Sequence, residues 1–217
     1  MNASNVILVR GDGEVSQAIV SSLEGQGYRV AVLSSQGPEA VRAFVDKEPV
    51  IGGLVMISPA PARDKRFLDI TDTDLDEALT TFLDLFETLS IATPHLADVA
   101  PVVYVGHRGH LGAWQGAHEN AFAGAVAGLM RSLTLEGASR GLRVNMIAAD
   151  FPNDTTQLQP EELVRQVADL ATFLVSPASS ALSGELLLAN RGASLRFREA
   201  RERPEQAAAV GRSGAAP

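Results

Sequence analysis

No cysteine occurs in the 217 residues, which excludes disulfides, thiolate nucleophiles and cysteine-ligated zinc together. Lysine is scarce: Lys47 and Lys65 are the two present, so basic charge comes almost wholly from arginine. Aromatic residues make up only 5% of the chain. Basic residues are outnumbered 18 to 26, and the net charge of −8 leaves no excess to neutralise phosphates, so no nucleic-acid partner is expected. No apolar run approaches the ~18 residues that span a bilayer. The first five residues carry no basic region leading into an apolar core, so they do not read as a signal peptide. A cytoplasmic protein without a membrane partner is expected. What is present is ample apolar content. At 46% hydrophobic, the chain can bury a sizeable core, which excludes wholesale disorder.

Short apolar runs alternate with helical periodicity. Val6-Ile7-Leu8-Val9 is a β-branched run halted by Arg10-Gly11-Asp12-Gly13, the mark of a buried parallel strand followed by a turn. Val15, Ala18, Ile19 and Leu23 then recur at helical spacing, and Arg29–Leu33 reads as a second strand. A short helix over 38–46, a strand at Gly53–Ile57 and a long helix from about Asp74 follow, with Thr71 or Thr73 as its cap. Strands at Pro101–Val105 and Arg143–Ile147 flank a small-residue helix over 116–139. A helix at 160–174 and a strand near Glu185–Leu188 complete the order. The alternation predicts an α/β fold: a Rossmann-like, doubly wound, mostly parallel sheet of about six strands with helices on both faces. Residues 1–195 are expected to form this single domain. Residues 196–217, rich in Arg, Glu, Ala and Gly, are expected to be a partly disordered tail.

Two stretches carry a family likeness. Val126–Glu136 followed by Arg140-Gly141-Leu142-Arg143-Val144-Asn145, and Leu182-Ser183-Gly184-Glu185-Leu186-Leu187-Leu188, resemble the short-chain dehydrogenase/reductase family. The likeness extends over residues 5 to about 192 and is most specific in the C-terminal half. It implies NAD(P)-dependent oxidation or reduction of alcohols and carbonyls. In that chemistry a Tyr is the acid/base, a Lys four residues later lowers its pKa and holds the ribose, a Ser bonds the reacting oxygen, and an Asn lies on the long helix. Counting from the motif, the Lys position is Ala123, the Tyr position Glu119, the Ser position Gly106 and the Asn position Phe82. No Tyr or Lys lies anywhere between residues 105 and 217, which does not depend on the alignment.

The cofactor features of the family are eroded too. Its glycine-rich turn lets backbone N–H groups approach a pyrophosphate at a helix N-terminus. Here the turn is one residue short, Asp12 and Glu14 bring negative charge, and Val15 and Ser16 replace glycines. Arg10, Gly11 and Gly13 remain as weak cofactor-binding candidates. Ser58-Pro59-Ala60 replaces the family's Asn-Ala-Gly turn, and Ser34 and Ser35 supply no acid for a ribose diol. Only one helix fits between Leu33 and Ile51, where the family adds an edge strand and a further helix beside the adenine pocket.

These substitutions predict a catalytically inactive relative, without cofactor or metal, that works as a non-catalytic subunit or regulatory partner of an active homologue. Family members usually pair through two long helices, here about 74–93 and 116–139, so a homo- or hetero-oligomer is expected. Three alternatives compete with that reading. One is repurposed acid–base or metal chemistry by His107, His110, His118 and Glu119, grouped with Arg108 and Trp114 in the loop at the family's active-site position. Another is NAD- or NADP-dependent hydride transfer with groups supplied by a partner. The last is ligand sensing in the vacated pocket. Asp150, in Asp150-Phe151-Pro152, reads first as a turn cap and second as a ligand contact.

Overall fold

The computed structural model describes residues 6–34, 37–58, 65–113, 115–149 and 160–190. Six parallel strands form one sheet in the order β2-β1-β3-β4-β5-β6. They are β1 (Val6–Arg10), β2 (Arg29–Leu33), β3 (Gly53–Ile57), β4 (Pro101–His107), β5 (Arg143–Ala149) and β6 (Leu186–Ala189). Helices α1 (Gly13–Gly25), α2 (Gly37–Lys47), α3 (Asp72–Ala92), α4 (Ala117–Glu136) and α5 (Pro160–Val175) connect them. This is the Rossmann-like architecture expected, with β2 as an edge and no strand outside it among the described residues. Ser35, Pro59–Ala60, Trp114, Asp150–Pro152 and the 196–217 tail lie outside the described residues.

Alternation along the buried strands builds two cores, because successive side chains point to opposite faces. Leu8, Met56, Tyr104 and Met146 face α2, α3 and α4. Ile7, Val55, Val103 and Ile147 face α1 and α5. Element ends differ from the sequence reading by a few residues. Helix α3 begins at Asp72 because Thr71 caps it in a reciprocal box, its hydroxyl accepting from the Asp74 N–H while the Asp74 carboxylate accepts from the Thr71 N–H. Helix α4 stops at Glu136, where Gly137 leads into a 3₁₀ turn at Ala138–Arg140. Strands β4 and β5 run two residues further than expected, so His107 belongs to β4 and pairs with Ala149.

The motif residues in the C-terminal half are structural. Buried Asn145 donates from Nδ2 to Leu182 O at 3.0 Å and accepts from Glu185 N–H at 3.2 Å, fixing the approach to β6. Gly184 N–H donates to Val144 O at 2.7 Å. Arg143 sends its guanidinium to the carbonyls of Leu174, Val175 and Ser176, closing the C-terminus of α5.

Candidate functional site

The C-terminal ends of β1, β3 and β4 face the inner sides of α3 and α4 across a cleft of about 60 Å³. Its wall is mostly apolar, with Met56, Ala78, Phe82, Phe122, Ala123 and Val126 contributing. Such a volume is small beside the 300–1,000 Å³ common for ligand sites. Three of the four positions singled out by the family likeness, Phe82, Glu119 and Ala123, line it. Gly106 borders it, beneath the ring of Tyr104. A Cβ built at Gly106 would meet that ring, lying 3.0 Å from Cζ and 3.1 Å from the hydroxyl oxygen. Any side chain at position 106 therefore competes with Tyr104 for one space.

Tyr104 is the site residue that sequence reading missed. It reads as one more apolar member of β4, yet its hydroxyl lies where the resemblance places a serine. The signal was a tyrosine two residues before a glycine, since residues i and i+2 share a strand face. The hydroxyl shares a hydrogen bond with Ser58. Burial pushes its pKa up to about 12; the Ser58 bond opposes this and the Glu119 charge adds to it. At neutral pH the floor of the cleft is a protonated phenol.

Arg10 leaves the end of β1 and enters a bidentate pair with Asp84 on α3, Nη1 to Oδ2 at 2.6 Å and Nη2 to Oδ1 at 2.7 Å. Its Nη2 also reaches Gly37 O at 3.5 Å. The charge that might have met a phosphate is thus already engaged. Gly11 sits at φ +143°, and an added Cβ would lie 2.7 Å from Ile57 Cβ, so the turn is pressed against the end of β3. The Gly11 N–H donates to Leu33 O at 3.1 Å, and its carbonyl accepts from the buried Ser16 hydroxyl at 2.9 Å. Gly13, at φ +86°, starts α1 between the exposed carboxylates of Asp12 and Glu14. At this turn one backbone donor is spent, the nearby arginine is paired, and two exposed acids flank the helix start, features that do not favour a pyrophosphate.

The three histidines of the loop have different surroundings. His107 is buried and lines the cleft with Glu119; its Nδ1 accepts from Gly109 N–H at 3.0 Å, which leaves the proton of a neutral ring on Nε2. His110, in the 3₁₀ turn Arg108–Leu111, is held below the ordinary histidine pKa by burial and by Arg131. That turn packs near Asn120, and Asn120 and Arg131 fall on one flank of α4. Buried His118 lies two residues before Asn120, about 200° around the helix and so on the opposite flank. Among the described residues, no three His, Asp or Glu side chains converge to hold a metal.

The outward faces of the same helices carry apolar or small-residue stripes among their polar residues. On α3, Leu75, Leu79, Leu83 and Phe86 are all more than 40% exposed. On α4, Ala121, Gly124, Ala125 and Gly128 form a flat exposed strip at helical spacing, with open space where Gly124 and Gly128 would carry a Cβ. The remaining small residues divide as expected: Ala123 and Ala127 pack inward. No described helix is long and apolar enough to cross a membrane.

Comparison with solved structures places this fold among the short-chain dehydrogenases/reductases. The chain superimposes on a putative oxidoreductase from Escherichia coli K-12 with a TM-score of 0.76 at 16% identity, covering 91% of this chain and 99% of that one. A short-chain dehydrogenase/reductase from Serratia marcescens gives 0.72 at 16% identity, covering 84% and 94%. A short-chain oxidoreductase from Pseudomonas aeruginosa, described as containing an atypical catalytic center, gives 0.69 at 18% identity, covering 87% and 97%. No family model matches the sequence, and no curated protein does. At these identities the likeness establishes the fold.

Proposed function

We propose that this chain is a non-catalytic protein of the short-chain dehydrogenase/reductase fold that acts as a subunit or scaffolding partner of an active protein of the same fold. One observation carries the reading. Helices α3 and α4 present Phe82, Glu119 and Ala123 inward, where the family likeness expects Asn, Tyr and Lys, while their outward faces keep an exposed apolar stripe beside a flat strip. A bulky ridge on one helix and a small-residue strip on the next suit close helix packing across a two-fold axis. In this reading neither NAD nor NADP is bound, and the Arg10–Asp84 pair with the closed Gly11 turn stands where a cofactor would need donors.

The test is purification from the native host with mass determination of the complex, repeated for a Leu79→Glu, Leu83→Glu variant. The wild type is expected in an assembly that contains a homologue with the intact Tyr and Lys, and the variant as a monomer of unchanged melting behaviour. A wild type that is monomeric at all concentrations and without a homologue contradicts the reading.

A second reading has one observation in its favour: His107 and Glu119 line the same cleft as Tyr104. Here they form an acid–base pair acting near neutral pH. A bell-shaped pH–rate profile lost in both His107→Ala and Glu119→Gln would support it; activity unchanged in both variants would remove it.

A further inference from the structure

We propose that the outward face of α3 and α4 takes a basic partner and rejects a second copy of its own chain. Its occupant is a helical face of another protein whose apolar residues are bordered by Lys or Arg. This choice of partner rests on the reading of the face as a subunit interface and adds the chemistry that selects who sits there.

The charge on α3 is one-sided. Its 21 residues include six acids and no Lys or Arg, even in the last turn, where the helix dipole favours a cation. Two of the acids are neutralised by other elements, Asp74 by Lys65 and Asp84 by Arg10. The other four, Asp72, Asp76, Glu77 and Glu87, are exposed and enter no ion pair among the described residues. The helix dipole accounts for Asp72 in the first turn, but not for Asp76, Glu77 or Glu87.

Two of these acids border the apolar stripe. Phe82, which meets the Phe122 ring of α4, lies on one side of Leu75, Leu79, Leu83 and Phe86. Asp84, whose partner Arg10 also reaches the start of α2, lies on the other. Asp76 and Glu87 fall on that second side, about 60–80° around the helix from Leu79. The stripe therefore runs between the small-residue strip of α4 and an acidic border. On α4 itself the exposed charges, Arg131 and Glu136, cancel. A two-fold pairing of identical faces would set the same acidic surplus against itself at any crossing angle. Like charges across an interface slow the encounter and penalise the wrong partner, whereas opposite charges steer the right one.

A charge-reversed copy of the chain supplies the probe. The variant Asp76→Lys, Glu77→Lys, Glu87→Lys keeps the apolar stripe and gives it a basic border, and Asp72 stays to support the helix start. Sedimentation equilibrium is measured on the full-length wild type, the variant and their equimolar mixture, at 50 and 500 mM NaCl. Each protein alone is expected as a monomer at 50 mM NaCl. The mixture is expected as a 1:1 pair whose Kd rises about tenfold at 500 mM NaCl. Should the reversed variant fail to fold, Asp76→Asn, Glu77→Gln, Glu87→Gln removes the repulsion and is expected to self-associate about tenfold more tightly than the wild type. Self-association of the wild type that is as tight at 50 as at 500 mM NaCl overturns the charge selection and leaves the interface reading standing. A mixture that stays monomeric, or a neutralised variant that associates no better than the wild type, also overturns it. A mixed pair that survives Leu79→Gln, Leu83→Gln in the wild-type component shows that the stripe takes no part, and the interface reading then falls with the proposal.

Discussion

At the residue scale, the Gly106–Tyr104 relation explains why the serine position is not simply vacant. Gly106→Ser pushes a side chain into the Tyr104 ring and should cost about 1–3 kcal/mol in urea unfolding. The loss should be relieved when Tyr104 is shortened to Val in the same chain; an additive double variant would show that the two positions do not share space. The phenol also predicts a pH dependence. Its folded pKa, about 12, lies above the ordinary tyrosine value of 10. Folding therefore favours the protonated form, and the associated stability is complete below pH 10 and lost as pH rises from 10 to 12. Tyrosinate absorbance should show one late-ionising tyrosine that disappears in Tyr104→Phe. Arg10 and Asp84 predict a third pattern. Arg10→Met strands the Asp84 carboxylate, which keeps 24% exposure, so about 2–3 kcal/mol should be lost, somewhat less than for a fully buried pair. Arg10→Met with Asp84→Leu should recover most of it, which a double-mutant cycle would measure. The Arg10–Asp84 partnership was not legible in the sequence. Arg10 and Asp84 are 74 positions apart, and only the packing of α3 over the end of β1 brings them together. Asn145 was legible, because it belongs to a recognisable run, but its work is to hold β6.

At the element scale, the strands and helices were legible because short β-branched runs, glycine turns and helical periodicity are local signals. At the N-terminus of α3 the local signal stops short of the exact cap. Thr71 and Thr73 were equal candidates from spacing, and the choice of Thr71 follows from its reciprocal bonds with Asp74. Lys65 adds a 2.6 Å contact to the same carboxylate, and its carbonyl accepts from Gly116 N–H at 2.9 Å, so one residue ties the start of α3 to the start of α4. Thr71→Ala should cost about 1 kcal/mol. The Lys65 and Thr71 bonds hold the Asp74 carboxyl well below the usual carboxylate range. Its contribution is therefore present above that range and fades as pH falls toward the depressed folded value. Lys65→Met should flatten the acid limb of the stability profile, read by circular dichroism between pH 2 and 6. An unchanged limb would place the acid sensitivity elsewhere. The histidine loop shows a related limit: His107 and Glu119 share the cleft, whereas the surroundings of His110 follow from the packing of its turn near Asn120 and Arg131, which spacing along the chain does not encode.

At the scale of the whole molecule, the sheet order and the two cores follow from alternation and from strand–helix–strand connectivity, and these survive at 16% identity. Function is less portable than fold, because it depends on a few groups at the strand ends. Here those ends carry a closed glycine turn, a paired arginine and a buried phenol, arranged around a cleft of about 60 Å³. The account stands or falls on cofactor binding, and the most direct measurement is the melting temperature of the full chain with 1 mM NAD, NADH, NADP or NADPH. A ligand that binds the folded state a hundredfold below its concentration would stabilise it by about 2.7 kcal/mol, a shift of several degrees. The account predicts no shift with any of the four; a rise of several degrees with one of them would contradict it.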